Sequence, residues 1–184
     1  MQKRNLENVK VIAFLAPEFE DLEFWVPVMR LREEGAQVII AGAKSGETCR
    51  GKGGLFATPE VSFDALDPND FHGVIIPGGW APDKLRRVPA VKHLVQALHA
   101  RHKIIGMICH AGLVGISAGI VAGHPATGSE GIKDDLINAG AIWQDRPAFR
   151  SQNLVWGRVV PDIPDYCREL VLAFQDTPAS AQQD

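Results

Sequence analysis

The 184-residue chain carries 19 Lys and Arg against 22 Asp and Glu, a formal net charge of -3, with 46% hydrophobic residues. That balance suits a single globular domain with one continuous core and offers no basic surface to nucleic acid. Apolar runs are strand-sized, far short of the roughly 20 residues that cross a bilayer, and Met1–Glu7 lacks the apolar region of a signal peptide. The expected setting is therefore cytoplasmic, without membrane contact. Cys49, Cys109 and Cys167 are an odd number at wide spacing, which fits neither a disulfide framework nor a zinc pattern, so reduced thiols and no metal are expected.

In chain order, Val9–Ala16 is an apolar run that predicts a strand. Asp21–Glu34 then carries Leu22, Trp25, Val26 and Met29 at helical spacing until Gly35 stops it. Gln37–Ala43 is the next strand. Lys44–Gly54, rich in glycine and charge, reads as a loop leading to short strands near Leu55–Phe63, and Asp67–Asp70 as a turn. Gly73–Pro77 is an apolar strand ending at Pro77-Gly78-Gly79. After a loop, Pro89 opens a helix with Val91, Leu94, Val95 and Leu98 on one face, and Lys103–Ile108 is the following strand. A helix is expected over Ala111–Ala118, a loop from Gly119 to Gly128, and a helix capped by Ser129 running through Asn138 to a stop at Gly140. Short strands over Ala141–Trp156 precede a last helix, N-capped by Asp162 and including Tyr166–Phe174.

Near-continuous apolar strands alternating with amphipathic helices predict a doubly wound, mostly parallel α/β sheet sandwiched by helices. The domain is expected over residues 8–175, with a disordered tail at 176–184. Ligands in such sheets bind at the carboxyl ends of the strands. Three strands here end in distinctive turns: Ala16–Asp21, Ile76–Trp80 and Ile108–Gly112.

Cys109 ends the apolar run Ile104–Ile108 with His110 beside it and a helix starting at once. A sharp strand-to-helix turn projects its residue from the sheet edge in a strained backbone conformation. The first N–H groups of the helix would then face the sulfur and lower its pKa from roughly 8.5 toward neutrality. Glu20 would meet Cys109 from the first turn, and the amides of Gly79 and His110 could face a developing oxyanion. Each piece also has a plainer reading. A cysteine there can be packing, Pro-Gly-Gly a tight turn, and Glu18, Glu20, Asp21 and Glu23 a solvated acidic helix start. His99 and His102 make no metal site alone, and Gly112-x-x-Gly115-x-x-x-Gly119 lacks dinucleotide spacing.

Taken together, Phe19-Glu20-Asp21, Pro77-Gly78-Gly79, Cys109-His110 and Gly131–Gly140 resemble the DJ-1/PfpI superfamily over about Val9 to Phe174, in its PfpI intracellular-protease-like branch. The resemblance implies a flavodoxin-like sandwich resembling class I glutamine amidotransferases, with Cys109 as nucleophile, Glu20 hydrogen-bonded to its sulfur and His110 as base. It further implies an acidic residue from a neighbouring subunit, matched here by Asp83, and hence a homo-oligomer. The branch usually reads Cys-His-Gly-Pro where this chain has Ala111 and Gly112. Trp80 replaces a commonly basic or small residue and would add an apolar wall beside Gly78 and Gly79.

Family members are described as peptidases, cofactor-independent glyoxalases and deglycases. The expectation is therefore a cofactor-free enzyme acting on a small carbonyl compound or a glycated or peptide substrate. The alternative is a redox-stress sensor or chaperone that oxidises Cys109, with a protonated Glu20 holding the sulfinate.

Overall fold

A computed structural model describes residues 6–176. Most of the expected tail, 176–184, lies outside these residues, and Asp176 closes the last helix and pairs with Arg150 at 2.6 Å.

The strands are β1 (Lys10–Phe14), β2 (Gln37–Gly42), β3 (Cys49–Arg50), β4 (Phe56–Ala57), β5 (Val61–Ser62), β6 (Gly73–Ile76), β7 (Ile104–Ile108), β8 (Pro125–Ala126), β9 (Ile142–Trp143), β10 (Ala148–Ser151) and β11 (Leu154–Gly157). The helices are α1 (Asp21–Glu33), α2 (Ala81–Leu85), α3 (Pro89–Ala100), α4 (Gly112–Ala118), α5 (Lys133–Asn138) and α6 (Ile163–Gln175). Seven strands form the main sheet in the order β10-β11-β7-β6-β1-β2-β5, parallel throughout except for the β10–β11 hairpin. The central strands β6 and β7 are buried along their whole length, which is why they are unbroken runs of Val, Ile, Met and Gly. Helices α1 and α6 pack together over one face and α3 and α4 over the other. This is the doubly wound sandwich the sequence predicts.

The differences are local. Helix α1 carries apolar residues on more than one face. It buries Phe24, Val28 and Leu31, while Leu22, Val26 and Met29 of the expected face are exposed. Asp21 and Glu23 are buried beside that core instead of solvated. The segment after Lys44 forms the hairpin β3–β4, and helix α2 begins at the turn expected to be a loop. Asp162 caps α6 with no side-chain bond of its own, because its carboxylate is taken by Arg158 at 2.9 Å.

Candidate active site

The carboxyl ends of β1, β6 and β7 converge as their parallel register requires. The turns after β1 and β6 are tied by a bridge between Phe19 and Gly79, with Trp80 N–H on the Glu18 carbonyl at 2.9 Å and Glu20 N–H on the Gly78 carbonyl at 3.2 Å. Gly79 has φ +73°, and a Cβ there would stand 2.5 Å from the Glu18 carbonyl and the Glu20 amide, so only glycine lets these turns meet.

Cys109 occupies the elbow between β7 and α4 with φ +59°, in the left-handed region that non-glycine residues enter only under constraint. A short 3-10 turn over Cys109–Ala111 separates it from α4. Its sulfur receives the backbone N–H groups of Gly79 and His110, and His110 Nδ1 lies 3.2 Å away.

The carboxylate at the sulfur belongs to Glu23, which corrects the expectation for Glu20. Glu20 is the N-cap of α1, its side chain accepting from the Glu23 amide at 2.8 Å, and this points it along the helix start. Glu23, one turn further in, reaches under the Gly78 loop. Its Oε2 accepts from Gly78 N–H at 3.0 Å and its carboxyl group hydrogen-bonds Cys109. Burial, reinforced by the neighbouring Glu20, pushes the Glu23 carboxyl up to about 7. Burial also pushes the Cys109 thiol up, to about 12, joined by the charge and hydrogen bond of Glu23, and the two amides oppose this only in part. The expected lowering by the helix start is therefore overturned: burial, reinforced by the neighbouring Glu23 charge, outweighs it. As pH rises through about 7 the pair loses its first proton, and above that it holds one negative charge between sulfur and carboxyl.

His110 is half-buried. Burial and the Lys52 ammonium lower its pKa, leaving the imidazole neutral and able to accept a proton. Trp80, 53% exposed, tilts against its ring at a centroid distance of 5.8 Å. These groups, with Lys52 and Val160, surround a cleft of about 200 Å³, room for a small molecule.

Lys52 was not singled out in the sequence. It comes from the loop before β4, which the buried Asp21 carboxylate holds through the amides of Gly53 and of Leu55, the latter at 2.6 Å. Replacing Asp21 with Ala leaves two amides without their acceptor. The expected result is a loss of about 2–3 kcal/mol in urea unfolding, together with a higher His110 pKa by NMR as Lys52 moves away.

Asp83 lies on α2 with its carboxylate paired to Arg87 at 2.8 Å, exposed, and is not among the residues surrounding the cleft. The structure thus brings together Cys109, His110, Gly78, Gly79 and Trp80, keeps Glu20 at the rim, and leaves Asp83 outside.

The DJ-1/PfpI family profile matches residues 9–173. The chain belongs to the DJ-1/PfpI family. It is 37% identical over 163 residues to Deglycase PH1704 of Pyrococcus horikoshii, covering 89% of this chain and 98% of that protein. It is 32% identical over 160 residues to the Putative cysteine protease YraA of Bacillus subtilis, covering 87% and 95%. Among solved structures, a two-domain Anabaena variabilis protein with DJ-1/ThiJ/PfpI-like and ferritin-like domains superposes with TM-score 0.88 at 29% identity. That match covers 96% of this chain and 52% of the other. Relatives carry both deglycase and cysteine-protease names, so family membership supports an enzyme without choosing its reaction.

Proposed function

We propose that this DJ-1/PfpI protein is a cofactor-independent cysteine enzyme acting on small electrophilic carbonyl or acyl groups, of glyoxalase or deglycase type. The observation that carries the reading is a sulfur on a positive-φ elbow with two backbone amides, a neutral imidazole and a proton-sharing carboxyl group around it. The thiol proton passes to His110 Nδ1 or Glu23, and the sulfur attacks the carbonyl carbon. The C=O electron pair moves to oxygen, where the Gly79 and His110 amides receive the oxyanion, giving a thiohemiacetal. For a 2-oxoaldehyde, His110 then moves the proton from the former aldehyde carbon to its neighbour. The resulting thioester is cleaved by water, releasing a 2-hydroxy acid and restoring the thiol.

Trp80 supplies an apolar wall and Lys52 a cation for an anionic product. In this reading Asp83 of a second copy orients His110, which makes the working unit a homo-oligomer in the cytoplasm. Among the described residues no helix is long and apolar enough to cross a membrane.

The test is methylglyoxal consumption with lactate detection, free of metals and glutathione, on the wild type and on Cys109→Ser. Lactate from the wild type and a loss of at least about 10³-fold in the variant are expected. No lactate from the wild type would overturn the reading. One observation favours a second role: a Glu23 carboxyl that keeps its proton to about pH 7 can donate to an oxidised sulfur, as a redox sensor requires. A two-oxygen mass gain at Cys109 under peroxide, without turnover of carbonyls or peptides, would select that role.

A further inference from the structure

Two buried polar atoms on the α1–α6 side of the sheet have no hydrogen-bond partner among the described residues: Glu23 Oε1 and the Tyr166 hydroxyl. Glu23 uses Oε2 for the Gly78 amide, so Oε1 is a free acceptor. Tyr166, on α6, is 1% exposed. A Cβ on Gly106 would stand 2.6 Å from its hydroxyl, and one on Gly157 would stand 2.9 Å from its ring. The hydroxyl therefore lies over Gly106 of β7, three residues before Cys109, at the rung where Gly106 faces Ile75 of β6, three residues before Gly78. That is the layer in which α6 meets α1. A buried phenol O–H ordinarily finds an acceptor. The carboxyl oxygen lacking a donor belongs to the residue whose charge reaches this phenol: burial, then Cys167 and Glu23, push the Tyr166 pKa up.

We propose that Tyr166 is a positioning residue for the Cys109–Glu23 pair, its hydroxyl donating to Glu23 Oε1 through one buried water. With Gly78 on Oε2 and Tyr166 on Oε1, both oxygens accept, which favours carboxylate over carboxylic acid and keeps the shared proton on sulfur at rest. Tyr166 thus sets how much thiolate the site holds before a substrate arrives. The other charged or titratable groups facing the pair are Glu20 from the start of α1, Lys52 from the loop before β4 and His110 at the elbow. Cys167, beside Tyr166, faces Arg30 of α1. The inference needs the Cys109–Glu23 contact and not the carbonyl chemistry proposed above, so its test uses no substrate.

The experiment is iodoacetamide alkylation of Cys109 against pH, followed by peptide mass spectrometry, in the wild type, Tyr166→Phe and Leu170→Ala. Removing the hydroxyl destabilises the carboxylate. In Tyr166→Phe the pH midpoint of alkylation should therefore rise by about one unit, and the plateau above it should be about tenfold faster as more of the shared charge sits on sulfur. Leu170 packs on the same Gly106, so Leu170→Ala loosens that contact while keeping the hydroxyl, and its midpoint should stay at the wild-type value. An unmoved midpoint in Tyr166→Phe, or an equal shift in Leu170→Ala, would overturn the proposal.

Discussion

Glu23→Gln should lower kcat/KM by about 10²–10³-fold while making the protein less sensitive to alkaline pH. Gln keeps the acceptor for Gly78 N–H and offers an amide donor to the sulfur, so the geometry survives and only proton exchange is lost. The stability effect follows from linkage. The Glu23 carboxyl holds its proton up to about pH 7 in the fold and to 4.5 ordinarily. Its contribution is therefore full below pH 4.5 and is lost as pH rises through 7, about 3 kcal/mol in all. Urea unfolding of both proteins at acid and mildly alkaline pH checks this. The wild type should lose that stability relative to Glu23→Gln, and parallel pH curves would mean that the carboxyl is not proton-bound in the fold.

Gly78→Ala is expected to cost about 1–3 kcal/mol and to lower activity by about 10²-fold or more. A Cβ there would stand 2.3 Å from Glu23 Oε2, 2.6 Å from Cys109 Cβ and 3.1 Å from its sulfur. The loop and the carboxylate must part, and the amide that fixes Glu23 goes with them. Gly119→Ala separates the two effects. Gly119 has φ +73° and nothing near its missing Cβ, so that variant carries backbone strain of about 1–2 kcal/mol with unchanged kcat/KM. Equal activity losses in both variants would show that the Gly78 effect is only global destabilisation.

The sheet was legible in the sequence because buried parallel strands are continuous apolar runs, and Gly73–Ile76 and Ile104–Ile108 contain no polar residue. The elbow was legible for a similar reason, since a cysteine between such a strand and a glycine-rich helix has few places to stand. The carboxylate was not. On sequence, Glu20 and Glu23 are two acids in one acidic helix start. What separates them is that Gly78, fifty-five residues away, presents its amide to Glu23 while Glu20 turns back to cap α1. Lys52 was hidden likewise, because the loop bearing it is placed by Asp21, an acid that local sequence marks as solvated. Helix α1 misled for a third reason. With apolar residues on both faces, spacing alone does not choose between Leu22–Met29 and Phe24–Leu31. Helix α2, five residues long, is shorter than two helical turns and shows no period.

The central claim is that Cys109 and Glu23 share a proton, and the pH dependence of Cys109 alkylation in the wild type and in Glu23→Gln tests it most directly. The account predicts a step near pH 7 in the wild type, where the Glu23 carboxyl titrates, and no such step in Glu23→Gln. The same step in both proteins would assign the proton to another group, His110 first, and contradict the account.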